Sequence, residues 1–193
     1  ICSKKSDWFT LWLSVEELLP DVVDCFTDNI VPRYNAANHT YANPEGVQIR
    51  AKDFGGIGGI SYLDPSIKIG PTAYFEALIK FLEQSDAGYR VGVDLFGAPY
   101  DWRFAPDGLA QVGYFDALQE LIENATQPVT LVTHSMGGPV ALAFLNRQSV
   151  SWKAQHIKAF VPISPPFGGA VSTAMSMISG DNFGVSVMNP RTF

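Results

Sequence analysis

The prediction of the fold starts from residues 128–138, which read Pro128-Val129-Thr130-Leu131-Val132-Thr133-His134-Ser135-Met136-Gly137-Gly138. The apolar run at the start of this stretch is typical of a buried strand, and Ser135 stands where the chain must turn sharply. Two glycines follow, and then an apolar segment in which Val140, Phe144 and Leu145 recur at helical spacing. The stretch therefore predicts a strand, a tight turn that carries a serine, and a helix.

A serine at such a turn is typical of the nucleophile elbow of α/β-hydrolases. The turn lifts the hydroxyl out of the sheet, and the start of the following helix faces the negative charge that develops during acyl transfer. The usual pattern is Gly-x-Ser-x-Gly, and here Thr133 replaces the first glycine. The alternative interpretation is a serine that only caps the helix, since serine is common at that position. We predict that Ser135 is a catalytic nucleophile.

The composition favours a globular protein and excludes several classes of partner. The chain has 193 residues, of which 47% are hydrophobic and 17% charged, with a formal net charge of −6. This length suffices for one domain with a substantial core. The absence of a basic run argues against nucleic acid as a partner, and no apolar run is long enough to predict a spanning helix. No metal or organic cofactor is predicted, because Cys and His are not clustered at ligand spacing.

From residue 71 onward the sequence predicts alternating helices and strands. The predicted helices begin at Pro71, near Gly108 and after Ser135, and the predicted strands are Tyr89–Phe96, 128–133 and Ile157–Ile163. The helix at Pro71 is predicted to bury Tyr74, Phe75, Leu78, Phe81 and Leu82. This alternation predicts an α/β fold with a mostly parallel sheet and helices on both faces. Ligands bind beyond the carboxyl ends of such strands, where Gly97–Arg103, Ser135 and Pro165–Gly169 fall.

Residues 1–50 differ from the remainder, and we predict a small cap there and a hydrolase core in residues 51–193. One short segment of the cap is crowded with apolar side chains: Trp8, Phe9, Leu11, Trp12, Leu13, Val15, Leu18 and Leu19. It is either packed on the core or dips into a lipid interface, where tryptophan is favoured.

Two further features of the sequence indicate a secretory route. Cys2 and Cys25 flank the apolar segment, and a disulfide closing a loop of that size would contribute about 3 kcal/mol. The sequons at Asn38 and Asn124 are potential glycosylation sites. Together they favour an oxidising compartment.

Four segments are more specific than these patterns: Asn43–Arg50, Gly97–Arg103, Thr133–Gly137 and Ser179–Gly184. The most specific of them is the run Ala98-Pro99-Tyr100-Asp101-Trp102-Arg103. Together they resemble the lecithin:cholesterol acyltransferase family, which includes lysosomal phospholipase A2 and phospholipid:diacylglycerol acyltransferases. The resemblance extends from Cys2 to about Asn189, which is nearly the whole chain.

The resemblance implies a phospholipase A or lipid O-acyltransferase that acts on glycerophospholipids through an acyl-enzyme at Ser135. It implies that the backbone amides of Phe54 and Met136 form the oxyanion hole. It also implies a disulfide between Cys2 and Cys25 around a loop that binds a membrane or lipoprotein surface. The interface residues would be Trp8, Phe9, Trp12 and Leu13. The implied location is the secretory pathway, either secreted or in a lysosomal or vacuolar lumen.

The sequence departs from the family pattern at two places that border the site. Lys52-Asp53 stands where the family often has Pro-Gly before the Phe–Gly pair. The loop Pro165–Gly169 reads Pro-Pro-Phe-Gly-Gly where the family often has Ala-Pro-Trp-Gly-Gly. Both changes bear on substrate preference more than on the class of reaction.

The base and the carboxylate that a serine nucleophile needs are not evident downstream of Ser135. The chain order in this fold is Ser, acid, His, whereas His156 precedes Asp181 here. His156 stands before the strand predicted at 157–163, at the opposite edge of the sheet, and Asp181 is typical of a turn. His134 neighbours Ser135 but points elsewhere along an elbow. We expect the triad Asp and His to lie outside residues 1–193.

The resemblance implies that the triad Asp and His lie beyond Phe193 and that the first strand, with its glycine turn, lies before Ile1, so we expect the fold to be incomplete at both ends. The chain would be either a partial product or one piece of a cleaved precursor, with the missing residues on a second chain. Two rival functions stay open at this point. One is a non-catalytic pseudo-enzyme or assembly subunit that keeps the fold. The other is an esterase of soluble esters.

Overall fold

The computed structural model describes residues 7–14, 16–19, 22–86 and 88–181. Within these ranges the chain forms two compact units. The first unit extends to Asp101 and takes in residues 179–181, and the second comprises Trp102–Ile178. The predicted division into a cap of residues 1–50 and a core of residues 51–193 stays a prediction. The disulfide between Cys2 and Cys25 also stays a prediction, because Cys2 lies outside the described residues.

The N-terminal part of the first unit is organised by helix α1 (Val23–Ile30). Val23, Phe26 and Ile30 recur at spacings of three and four residues, so they share one face of the helix, and all three are buried. Partly buried apolar side chains pack against this face: Leu11, Trp12, Leu18 and Val31. The crowded apolar segment therefore contributes part of its side chains to a small core.

The first unit also contains a short hairpin and a second helix. Strands β1 (Arg33–Asn35) and β2 (Thr40–Ala42) form an antiparallel hairpin with Tyr34 opposite Tyr41. A longer helix, α2, spans Glu76–Gln84. Among the described residues of the unit, 3-10 helices also occur at Glu16–Leu18 and Gly70–Thr72.

The helix predicted from Pro71 begins later than expected. Pro71 lies in the 3-10 turn, where the Ala73 N–H donates to the Gly70 carbonyl, and α2 begins only at Glu76. Its inward face is set by Ile79, which is 4% exposed. Phe81 and Tyr74 were predicted on that face but are 66% and 44% exposed, so this part of the prediction is wrong.

The prediction of a strand at Tyr89–Phe96 is also wrong. The Arg90 carbonyl accepts hydrogen bonds from the N–H groups of Val93, Asp94 and Leu95, each at 3.1 Å, which closes a turn. Gly92 has a φ of 77°, and the Asp94 carboxylate accepts from the Arg90 N–H. Glycine and aspartate are strong turn formers, and here they outweigh the β-branched residues around them.

The second unit contains most of the regular structure. Its elements are α3 (Pro106–Gln111), α4 (Tyr114–Glu123), β3 (Val129–His134), α5 (Gly137–Arg147), α6 (Val150–His156), β4 (Ile157–Ile163) and α7 (Val171–Ser179). The single helix predicted near Gly108 is two helices, because Gly113 takes a φ of 77° between them. None of the helices in the described part of the chain is long and apolar enough to cross a membrane.

Strands β3 and β4 are parallel neighbours, and the alternation of helices and strands had predicted a parallel sheet. Val132 pairs with Val161 and His134 with Ile163, and α5 contacts both strands. The main core of the unit lies among the helices: Leu109, Phe115, Leu118, Ile122, Val140 and Phe144. Helices alternating with parallel strands confirm the α/β class.

Candidate active site

Ser135 lies directly between β3, which ends at His134, and α5, which begins at Gly137. Its φ of 50° falls in the left-handed region, which is disfavoured for serine. The Ser135 N–H donates to the Ile163 carbonyl of β4 at 3.0 Å, and its carbonyl accepts from the Gly138 N–H at 2.9 Å. Both hydrogen bonds hold the backbone in a conformation that the residue alone would not adopt.

Close packing at Gly138 explains one of the two glycines after the serine. A Cβ atom built on Gly138 would lie 2.6 Å from the Pro165 Cβ, closer than side chains approach each other. A Cβ atom on Gly137 would lie 3.5 Å from the Thr133 Cβ, which is an ordinary contact. The first turn of α5 therefore requires glycine at 138 more strictly than at 137.

Thr133 stands where the usual elbow pattern has its first glycine. Its hydroxyl oxygen is buried and has no hydrogen-bond partner among the described residues. A buried hydroxyl without a partner is unfavourable, so the methyl group of Thr133 rather than its hydroxyl suits this position.

Met136 is the N-cap residue of α5, and its side chain is 41% exposed. The N–H groups at the start of a helix have no acceptor within the helix, and the helix dipole places partial positive charge there. Such N–H groups stabilise an oxyanion that forms next to the serine. The start of α5 therefore lies directly after Ser135, where the sequence predicts the oxyanion hole.

Phe54 lies in a glycine-rich loop of the first unit, and its side chain is 38% exposed. Asp53 before it has a φ of 59° and accepts a hydrogen bond on its carboxylate from the Gly58 N–H at 2.7 Å. On the other side, the Gly55 N–H donates to the Gly97 carbonyl at 2.8 Å. The peptide that bears Phe54 is therefore fixed at both ends.

Asp53 is a residue whose role the sequence did not reveal. A Cβ atom built on Gly56 would lie 2.4 Å from both carboxylate oxygens of Asp53, so the carboxylate occupies space that only a glycine leaves open. The run Gly55-Gly56-Ile57-Gly58-Gly59 was the available signal, because such a run indicates close approach by another group.

His156 is remote from Ser135, as predicted. It ends α6 and precedes β4, whereas Ser135 follows the other end of the parallel neighbour β3. The length of the strands separates the two residues by about 20 Å. The His156 ring instead packs in a tilted arrangement against the Trp152 ring, with centroids 5.0 Å apart, and the Trp152 indole N–H donates to Glu123 at 2.6 Å. This cluster ties α6 to α4 and has no part in the elbow.

Other titratable groups are also unsuited to act as the base. Burial, and to a lesser extent the charge of Tyr74, raises the pKa of Tyr100 to about 12. Tyr100 therefore stays protonated at neutral pH. No group of three or more potential metal ligands occurs in the described ranges.

The predicted interface residues differ in exposure. Trp8 and Phe9 are 56% and 43% exposed, and the Arg50 guanidinium lies over the Trp8 ring at 3.9 Å. Trp12 and Leu13 are half-buried, and the Trp12 ring stacks on Phe26 at 6.0 Å. Part of the segment thus faces solvent and part packs on α1.

The two sequons are accessible in the structure. Asn38 lies in the turn between β1 and β2, and its side-chain oxygen accepts from the Thr40 hydroxyl at 2.7 Å. Asn124 is the C-cap residue of α4, and both asparagines are exposed.

A sequence profile described as lecithin:cholesterol acyltransferase matches residues 8–193. The chain belongs to the lecithin:cholesterol acyltransferase family. This confirms the resemblance inferred from the four segments. Asp53, at a position where the resemblance implies glycine, has a left-handed backbone of the kind that suits glycine.

Named relatives within the lecithin:cholesterol acyltransferase family share this region. The rat protein named lysosomal phospholipase A and acyltransferase is 44% identical over 195 residues, covering 98% of this chain and 46% of the relative. An Arabidopsis thaliana protein named lecithin-cholesterol acyltransferase-like 1 is 37% identical, and the match covers 98% of this chain and 46% of that protein. The chicken protein named phosphatidylcholine-sterol acyltransferase is 38% identical, and the match covers 98% of this chain and 45% of that protein. The chain spans about half the length of the curated relatives it matches.

Proposed function

We propose that this chain carries the nucleophile of a lipid O-acyltransferase or phospholipase A that acts on glycerophospholipids. The observation that carries the proposal is the left-handed backbone of Ser135 between a parallel strand and a helix. That arrangement is typical of the nucleophile elbow in an α/β-hydrolase. The names of the rat and chicken relatives support a lipid ester as the substrate.

In the proposed reaction the Ser135 hydroxyl oxygen attacks the acyl carbonyl carbon while a base removes the hydroxyl proton. The ester C–O bond then breaks, and the leaving alcohol takes that proton. The acyl-enzyme is resolved by water, which gives phospholipase activity, or by a lipid alcohol, which gives acyl transfer. The Met136 N–H stabilises the oxyanion, and the Phe54 N–H as the second donor stays a prediction. Loss of one such donor typically lowers turnover by about 100- to 1000-fold.

We assign the base and its carboxylate to residues outside 1–193, on the same polypeptide or on a second chain. The position of His156 supports this assignment, because it lies at the wrong end of β4. A base must come within hydrogen-bond reach of the serine hydroxyl, at about 3 Å.

We further propose that the protein works at a phospholipid membrane or lipoprotein surface and meets it first through Trp8 and Phe9. Both rings are exposed, and Arg50 beside Trp8 adds a positive charge that suits phosphate headgroups. Trp12 and Leu13 are half-buried and would follow as the surface engages.

The proposed location is the secretory pathway, either secreted or in a lysosomal or vacuolar lumen. The exposed Asn38 and Asn124 sequons support it, as does the word lysosomal in the rat relative's name. The predicted Cys2–Cys25 disulfide belongs to the same proposal.

Labelling with a fluorophosphonate tests the nucleophile. The natively purified protein, with any chain that co-purifies, is labelled and mapped by peptide mass. We expect modification at Ser135, and none in the Ser135→Ala variant. Ser164→Ala is the matched control, because Ser164 also has a left-handed backbone, with a φ of 48°, at the end of a parallel strand. The control should label as the wild type does.

The rival functions predict different results. A folded protein that does not label would favour a pseudo-enzyme or assembly subunit and overturn the proposal. An esterase of soluble esters would label but would hydrolyse dissolved short-chain esters as fast as vesicle phospholipids. A large preference for vesicles therefore separates the lipid enzyme from the esterase.

A further inference from the structure

The loop that follows β4 leaves the sheet beside the elbow. His134 and Ile163 pair in register, so Ser135 and Ser164 are the next residues of two parallel strands. The hydrogen bond from the Ser135 N–H to the Ile163 carbonyl joins the two strand ends directly. Whatever follows Ser164 therefore begins next to the proposed nucleophile.

The conformation of this loop is closely constrained. Ser164 turns the chain with a φ of 48°, and Gly169 does so again with a φ of 95°. Between them the Phe167 N–H donates to the Pro165 carbonyl and the Gly169 N–H to the Pro166 carbonyl, each at 3.0 Å. Two successive prolines further restrict the backbone.

The same loop lies against the first turn of α5. A Cβ atom on Gly138 would lie 2.6 Å from the Pro165 Cβ and 3.5 Å from Cε1 of the Phe167 ring. The ring is thus held over the start of the helix that begins just after Ser135. Even so, Phe167 is 51% exposed and Met136 is 41% exposed. An apolar surface on a fixed loop therefore remains uncovered at the proposed site.

We propose that Phe167 forms the wall of an acyl-chain subsite and sets the preference for acyl-chain length. The proposal rests on the proposed function, in which Ser135 takes an acyl group. A fixed aromatic ring loses little conformational entropy when an acyl chain packs on it, so the contact favours long chains. The ring touches the chain rather than the reacting ester, so it discriminates among substrates and leaves the chemical step unchanged.

The test measures the rate at which alkyl fluorophosphonates of increasing chain length label Ser135 in the natively purified protein. We expect the wild type to label faster with a hexadecyl than with an ethyl probe. In Phe167→Ala this preference should fall about tenfold, which is the effect expected when one apolar contact is removed from a specificity pocket. The rate with the ethyl probe should be unchanged. Phe167→Leu should retain most of the preference.

Phe81→Ala is the matched control, because Phe81 is another exposed phenylalanine, at 66%, in the other unit of the chain. It should label as the wild type does with every probe. An unchanged chain-length preference in Phe167→Ala would overturn the subsite while leaving Ser135 as the nucleophile. An equal loss of labelling rate with short and long probes in Phe167→Ala would also overturn the subsite. Absence of labelling in the wild type would overturn the proposed function and the subsite together.

Discussion

Ser135 and Ser164 share a rare backbone conformation, with φ of 50° and 48°, at the ends of two paired parallel strands. The left-handed region costs about 1–2 kcal/mol for residues other than glycine. Neighbouring strand ends therefore both store strain, although only Ser135 is proposed to react. A strained backbone at a functional residue is common because the surrounding structure holds it there.

Glycine substitution should release this strain. Ser135→Gly should be more stable than Ser135→Ala by about 1 kcal/mol, because only glycine accommodates the left-handed backbone without a clash. Both variants should lose labelling by fluorophosphonate. Ser164→Gly and Ser164→Ala should differ in stability in the same direction while labelling is kept. Chemical unfolding of the four variants checks this, and equal stability within each pair would contradict it.

The contact between Gly138 and Pro165 gives a second prediction. Gly138→Ala should destabilise the protein by about 1–3 kcal/mol, because its Cβ would lie 2.6 Å from the Pro165 Cβ and must displace the loop. Gly137→Ala is the control, since its Cβ finds an ordinary contact at 3.5 Å and alanine is the better helix former. Urea unfolding distinguishes the two variants. Equal stability of both would show that the loop yields freely.

The strands around the elbow could be predicted from the sequence because their signals are local. A continuous apolar run followed by Ser135 and two glycines predicted β3 and the turn, and the run Ile157–Ile163 predicted β4 with the bounds that the structure has. The tight packing of Gly138 on Pro165 could not be predicted, because it joins residues far apart in the chain.

Where local signals competed, the sequence was less informative. The apolar residues of Tyr89–Phe96 favour a strand, but Gly92 and Asp94 close a turn on the Arg90 carbonyl. Asp53 was visible only as a departure from the family pattern. Its carboxylate accepts a hydrogen bond within the loop around Phe54. The carboxylate can lie there only because Gly56 leaves the space open.

Asp53 gives a third prediction, on the loop that bears Phe54. Asp53→Gly keeps a residue suited to a φ of 59° and loses only the hydrogen bond to the Gly58 N–H. Asp53→Ala loses the hydrogen bond and adds about 1 kcal/mol of backbone strain. On the proposal that the Phe54 N–H is the second oxyanion donor, labelling of Ser135 should slow in the order wild type, Gly variant, Ala variant. If all three label equally, the loop has no part in the oxyanion site.

The sequon in the β1–β2 hairpin gives a fourth prediction. Asn38 is exposed in a turn, and the Thr40 hydroxyl donates to its side-chain oxygen. We expect a glycan there in the natively purified protein, detected as a mass shift on enzymatic deglycosylation. Asn38→Gln and Thr40→Ala should each lose it, while Thr40→Ser should keep it because serine preserves the hydroxyl. A protein without a glycan at Asn38 would weaken the proposed secretory location.

The contact between Glu123 and Trp152 gives a prediction on pH dependence. The hydrogen bond from the Trp152 indole lowers the pKa of Glu123, and hydrogen bonding from Gln119 and the charge of His156 add to the effect. A carboxyl whose pKa is lower in the folded state stabilises the protein above its unfolded pKa, and this contribution is lost as pH falls through the folded pKa. Glu123→Gln removes the titration but keeps an acceptor for the indole. Its melting temperature should therefore fall less steeply with acid than that of the wild type.

The control is Glu120→Gln, which removes another exposed charge from α4 and should follow the wild type. Parallel curves for wild type and Glu123→Gln would mean that the contact makes no pH-dependent contribution to stability.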